Sequence, residues 1–215
     1  MYTPKHFEET RVPVMHELIE AHPFATLISA GGSGLIASHI PMVLERDGAE
    51  LGVLKGHVSR ANPPWREFTP EVEALAIFSG PHHYISPSWY PEKSETGKVV
   101  PTWNYAVVHA YGRVKTMEDA EWLREHVSRL TDVHEAGMAA PWKVTDAPED
   151  YITAMIRGIV GLEFAVTRLE GKWKVSQNRP EQDRAGAAAG LGQLATEDSR
   201  AMQEMIEERM RSKGA

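Results

Sequence analysis

The spacing of apolar and polar positions predicts a succession of strands with helices at the margins. Residues 11–22, RVPVMHELIEAH, set Val14, Met15, Leu18 and Ile19 three and four apart, the period of one helix face, with Pro13 tolerable in a first turn. Residues 24–29 (FATLIS) are strand formers, Gly31-Gly32-Ser33-Gly34 offers a flexible reversal, and residues 35–44 (LIASHIPMVL) return as a hairpin. Asp47-Gly48 suits a turn with positive φ, and residues 49–58 add a third strand to this meander. A short helical piece opens at Asn62-Pro63-Pro64 and carries Trp65 and Phe68, and residues 72–79 (VEALAIFS) make a fourth strand. Residues 80–98 then read as a loop, because Pro81, Pro87 and Pro91 forbid a helix there.

Strand alternation resumes over residues 99–115. Thr102, Asn104, Ala106 and Val108 share one face, and Trp103, Tyr105, Val107 and His109 the other. Helical periodicity follows over residues 117–130 and 148–157, then strands over 159–169 and 173–176 around a turn at Glu170-Gly171. From Arg184 the composition shifts to Ala and Gly, and residues 196–211 form a helix with Met202, Met205, Ile206 and Met210 on one stripe. Such a stripe is ordinarily packing surface, against the chain's own core or a partner chain. The pattern predicts a mainly β domain with peripheral helices over residues 1–195, followed by an amphipathic helical extension over 196–215.

Composition narrows the chemistry. With no cysteine among 215 residues, disulfides, thiolate nucleophiles, thiolate zinc sites and iron-sulfur clusters are all excluded. Thirty acidic against 23 basic residues give a net charge of -7, unfavourable for duplex nucleic acid without a local basic patch. The densest basic stretch, Arg209 to Lys213, sits beside Glu207 and Glu208, so direct DNA binding is not expected. No apolar run approaches the roughly 18 residues of a membrane span. Glu8, Glu9 and Arg11 occupy the place of a secretory signal's apolar core, which predicts an unprocessed, cytoplasmic chain.

Four segments carry candidate chemistry. In Gly56-His57-Val58-Ser59-Arg60-Ala61-Asn62-Pro63, a strand ends in a hydroxyl, a guanidinium and backbone donors, a receptor for a terminal phosphate. The alternative is a surface loop with Arg60 solvated and Asn62 capping the Pro63-Pro64 turn. Between Pro81 and Pro91, Tyr84 and Trp89 are able to flank a planar ligand, with Ser86 or Ser88 donating, or they plug the core. His82-His83 point to opposite faces of a strand and make a poor metal pair. Trp103 and Asn104 open the third segment. The fourth, Trp173 to Arg179, places Lys174 and Ser176 on one face, suited to an anion or to a solvated cross-strand pair. No zinc-protease helix, nucleophile elbow, phosphate-binding glycine loop or nucleophilic triad is present, so no catalytic residue and no metal ligand is assigned.

These segments, in this order and together with Met1 to Phe7 and Ser38-His39-Ile40-Pro41, resemble the PaiB-type family of FMN-binding split-barrel proteins, often labelled negative transcriptional regulators. The resemblance runs from residue 1 to about 190. It implies a six-stranded antiparallel split β-barrel that forms a homodimer and holds FMN near the subunit interface. It places His57, Ser59, Arg60 and Asn62 near the phosphate, and Tyr84, Ile85, Ser86, Trp103 and Asn104 near the ring, with Lys174, Ser176 and Gln177 added to the same site. Two functions stay open. One is a flavin-binding negative regulator that acts through its flavin or a partner; the other is an FMN-dependent oxidoreductase, a flavin reductase or an enzyme similar to pyridoxamine-phosphate oxidase. Haem binding through a histidine is a third reading, for which no spacing singles out a ligand.

Overall fold

In the computed structural model, residues 1–32, 34–46, 49–68 and 71–211 are described. The expected reversal at Ser33, the Asp47-Gly48 turn, and Ser212 and Lys213 of the basic stretch lie outside them. The chain opens with β1 (Glu8–Glu9), α1 (Val12–Ala21) and the hairpin β2 (Phe24–Gly31) and β3 (Gly34–Pro41). Next come β4 (Val43–Glu45), β5 (Val53–Ser59) and β6 (Ala74–Ile85), then α2 (Glu92–Glu95) and β7 (Thr102–Met117). Two helices, α3 (Ala120–Glu135) and α4 (Glu149–Arg157), precede β8 (Ile159–Lys174), and α5 (Glu181–Leu194) and α6 (Glu197–Arg211) end the described chain.

The strands join in the hydrogen-bonded order β3-β2-β6-β7-β8-β5-β4, with β1 added to β8. Antiparallel register pairs Leu27 with Ser38, Leu27 with Ala76 on the other side, and His57 with Gly161. The sheet therefore has eight strands where six were expected, the difference being the two-residue β1 and the three-residue β4. On β7 the predicted alternation holds: Asn104, Ala106, Val108, Ala110 and Val114 are buried.

Two expected breaks are absent. The segment after Ser79 is not a loop, because β6 continues through Pro81 to Ile85. Its pairing with β2 ends at Ile77, so a residue without an N–H is admitted beyond that ladder. Nor does the chain turn at Glu170-Gly171, where β8 runs straight on and pairs with β1, Gly171 opposite Glu9. A side chain at Gly171 would meet the Glu9 carbonyl at 2.8 Å, so the glycine is there for close approach.

Contacts divide the chain into two compact units. The first comprises Met1–Met15, Ser79–Val108 and Glu170–Ala215. Its core gathers Ile85, Tyr90, Val175, Leu191, Met202 and Ile206, so the methionine stripe of α6 is packing surface against α5. The helix α5 was not anticipated. Its Ala and Gly residues give no apolar period, yet they let Trp89 lie directly on the helix, where a Cβ at Gly190 would overlap the indole. Thr196 and Ser199 start α6 by reciprocal bonds of 3.2 and 3.1 Å between each hydroxyl and the other's N–H.

The second unit comprises His16–Phe78 and His109–Leu169. Asp119 caps α3 by accepting from the Trp122 N–H at 2.8 Å. Leu123 of α3 packs with Ile152 and Ile156 of α4. Trp122 reaches β8, where Gly161 leaves room for its ring.

Candidate functional site

The second unit holds an open cleft of about 720 Å³ lined by Ser38, His39 and Ile40 of β3, His57 and Ser59 of β5, Asn62 beyond it, and Met155, Gly158 and Ile159. Strand geometry explains the convergence. His39 and His57 lie on different strands, each ending near a proline-containing segment that turns the chain, so polar strand ends meet at one mouth. His39 Nδ1 is 3.1 Å from the Thr26 hydroxyl, which orients its ring. Among the described residues lining the cleft none is Asp, Glu, Lys or Arg. Its hydrogen-bonding surface is hydroxyl, amide and imidazole.

Behind His57 lies a second histidine. His57 Nδ1 and His126 Nε2 of α3 are 3.1 Å apart, so one ring donates to the other. Trp122 stacks on His126 at 5.4 Å, and the Lys55 ammonium sits 5.6 Å from the Trp122 ring. His126 is 4% exposed. Burial first, then His57 and Lys55, hold its pKa down to about 4, and burial also lowers that of His57. Both rings are therefore neutral at pH 7.

Arg60 occupies the expected segment but faces elsewhere. Its guanidinium donates to the carbonyls of Arg157 and Ile159 at 3.0 and 3.1 Å and to Glu118 at 2.5 Å, while its own N–H meets the Gly158 carbonyl at 2.8 Å. It thus holds the exit of α4 and the entry of β8, which carry Gly158 and Ile159 of the cleft wall. The Ser59 hydroxyl accepts from the Ala61 N–H at 3.2 Å.

The other expected residues lie in the first unit and fall into two groups. Trp103 is 55% and Tyr84 40% exposed, their rings edge-to-face at 6.2 Å, with His82 stacked on Trp103 at the same distance. Lys174 donates to the Thr102 hydroxyl at 2.5 Å and the Trp103 carbonyl at 2.8 Å, and its pKa is lowered mainly by burial. The Ser86 hydroxyl accepts from the Ser88 N–H at 3.2 Å and caps the turn that follows. Ile85, Asn104, Ser176 and Gln177 are instead buried. Asn104 donates to the Ser176 hydroxyl at 2.9 Å. Gln177 accepts from the Val175 N–H at 2.7 Å and donates to the Trp173 carbonyl.

Sequence reasoning missed His39, Ser38 and His126 as site residues. The first two lie in the Ser38-His39-Ile40-Pro41 motif and were legible there; His126 had no signal, being one polar residue on an ordinary amphipathic helix. Among the described residues there is no cluster of three or more potential metal ligands and no helix long and apolar enough to cross a membrane.

An antiparallel sheet flanked by helices, with a neutral polar cleft at its strand ends, defines a ligand-binding β protein of the flavin-binding kind. The chain belongs to the FMN-binding family whose model, described as "Putative FMN-binding domain", matches residues 1–168. It is 33% identical to an uncharacterized protein of Emericella nidulans over 97% of each chain. It is 29% identical to the protease synthase and sporulation protein PAI 2 of Bacillus subtilis, over 98% of this chain and 99% of that one. The PaiB-type resemblance and its cofactor, FMN, thus stand on a family match over most of the chain. Among solved structures, the FAD and heme binding protein from Mycobacterium smegmatis shares the fold, with a TM-score of 0.57, 18% identity, and coverage of 85% of this chain and 80% of that one.

Proposed function

We propose that this chain is a PaiB-type flavoprotein in which the cleft of the second unit receives the phosphate-bearing end of FMN. The observation that carries this reading is the convergence of Ser38, His39, His57, Ser59 and Asn62 on one cleft of about 720 Å³, large enough for a nucleotide-sized ligand. Ser59 and Asn62 supply neutral donors to the phosphate, and the two imidazoles supply nitrogen donors. Arg60 belongs to the phosphate site in this proposal by holding the backbone of the cleft wall. The ring contacts are assigned to Tyr84, Ser86, Trp103 and Lys174, with Ile85, Asn104, Ser176 and Gln177 supporting them from within the first unit. Bound FMN would supply one- and two-electron redox chemistry; the protein residues bind it, orient it and hold protons near it.

The biological role proposed is negative regulation, exercised by a cytoplasmic homodimer through its flavin or a protein partner and not through a basic DNA-reading element. Net charge of -7 supports the last point. A salt-sensitive, sequence-specific shift of promoter DNA by the pure protein would overturn it. The second reading, an FMN-dependent oxidoreductase, is favoured by two imidazoles in a cleft that holds no other titratable group among its described residues. Reduction of the bound flavin by a nicotinamide cofactor would select that reading.

The test is direct. The purified chain is expected to take up FMN, show flavin absorption, release the flavin on denaturation, and sediment as a dimer. Weakened uptake in Asn62→Ala and in Trp103→Ala checks the two residue sets separately. A protein that takes up no FMN at any pH refutes the reading.

A further inference from the structure

The cleft presents an electrostatic problem to the ligand assigned to it. A phosphate monoester brings close to two negative charges, yet no Lys or Arg stands among the described lining residues. The nearest guanidinium, Arg60, is already engaged with two carbonyls and Glu118. The only groups of the wall able to become cationic are His39 and His57, and His57 is hydrogen-bonded through Nδ1 to His126.

We propose that His57 and His126 act as one proton-accepting unit, so that a phosphate ester entering the cleft is matched by uptake of a proton from solvent onto the pair. The inference rests on the reading of the cleft as the phosphate site. His57 meets the anion; His126 is a positioning residue that shares the proton through the 3.1 Å bond. Protonating either ring converts a neutral N–H···N contact into a charge-assisted one, which is shorter and stronger. Without the anion that conversion is opposed. Burial disfavours the charged form, and on the α3 side His126 faces Lys55, whose ammonium is paired with Glu45 at 2.7 Å, with Glu125 and Arg129 completing the small pocket there. On the cleft side the titratable neighbour is His39 of β3, and Gly161 of β8, opposite His57, brings no charge. An anion against His57 supplies the missing counter-charge, and by linkage the proton then strengthens anion binding by the same factor.

This makes the pair a specificity device. Ligands carrying a phosphate gain from it and uncharged flavins do not. The experiment is calorimetric titration of the full chain with FMN at pH 7.5, in non-phosphate buffers of different ionisation enthalpy, with riboflavin as the comparison. Uptake approaching one proton per FMN and none per riboflavin is the expected result, with FMN affinity falling as pH rises from 6.5 to 8.5. In His126→Gln the uptake is lost and the FMN pH profile flattens, with affinity at pH 6.5 lower by on the order of tenfold. Imidazole NMR shifts of the wild-type chain, read with and without FMN, report the same event without a variant and show the pair becoming protonated on binding. FMN binding with no proton uptake, with unchanged uptake in His126→Gln, or with both rings still neutral by NMR overturns the inference and leaves the phosphate-site reading intact. Absence of FMN binding at every pH overturns both.

Discussion

Asn104 on β7 donates its side-chain amide to the Ser176 hydroxyl at 2.9 Å, and both residues are sealed inside the first unit. Ser176 holds this position with a φ of 65°, in the left-handed region that non-glycine residues adopt at a cost. Removing the donor in Asn104→Ala leaves a cavity and an unpaired buried hydroxyl, and is expected to lower stability by about 2–3 kcal/mol in denaturant titration. Ser176→Gly also breaks the bond but relaxes the backbone, so its loss should be smaller by about 1 kcal/mol. Equal losses in the two variants would show that the φ of Ser176 carries no strain.

Arg60 is expected to behave as a structural residue even before any ligand is added. Arg60→Ala abandons the carbonyls of Arg157 and Ile159, and the flavin-free protein should lose about 1–3 kcal/mol in thermal unfolding. Lysine keeps the charge but not the fork, so Arg60→Lys should recover less than half of that loss. Glu118→Gln removes only a half-exposed ion pair and should cost less than about 1 kcal/mol. An Arg60→Ala protein as stable as wild type, yet unable to bind FMN, would instead identify Arg60 as a direct phosphate ligand.

How much of this was legible in the sequence depended on whether one chain segment held the whole signal. The alternation of β7 was readable because every second residue from Asn104 to Val114 faces inward. The extension of β6 to Ile85 was hidden by Pro81, whose tolerance depends on where the β2 ladder stops, a tertiary fact. The helix α5 was hidden because its packing uses Ala188 and Gly190 against Trp89, and small residues leave no hydrophobic period. At the site, the loop from His57 to Asn62 stood out by residue type, but what Arg60 does is decided by carbonyls 97 and 99 residues downstream. His126, 69 residues from His57, is brought to it only by α3 folding over β5 and β8.

The seating of α3 on β8 predicts a severe effect at one glycine. A Cβ at Gly161 would overlap the six-membered ring of Trp122, which is held in turn by its stack on His126. Gly161→Ala should therefore displace the indole and destabilise by about 1–3 kcal/mol, visible as a lowered Tm and a changed tryptophan emission. Shrinking the partner tests the cause. In Gly161→Ala with Trp122→Leu, the alanine should cost clearly less than it does opposite tryptophan, and an undiminished cost would place the strain in the backbone of β8.

The same histidine makes stability pH-dependent in a definite direction. His126 has a pKa of about 4 in the folded chain against 6.5 ordinarily, so below pH 6.5 the unfolded chain binds a proton that the folded chain refuses. Its contribution is fully present above pH 6.5 and is lost progressively as pH falls toward 4, with a ceiling of roughly 3 kcal/mol. Burial depresses His57 and His22 in the same sense, so they steepen the same limb. Denaturant midpoints measured at pH 7.5, 6.0 and 5.0 should therefore fall steadily for wild type. They should fall less for His126→Gln, whose glutamine does not titrate, so that the gap between the two proteins narrows with acid. A constant gap would mean that His126 titrates in the folded chain as it does in the unfolded one, and that the contact with His57 does not depend on both rings being neutral.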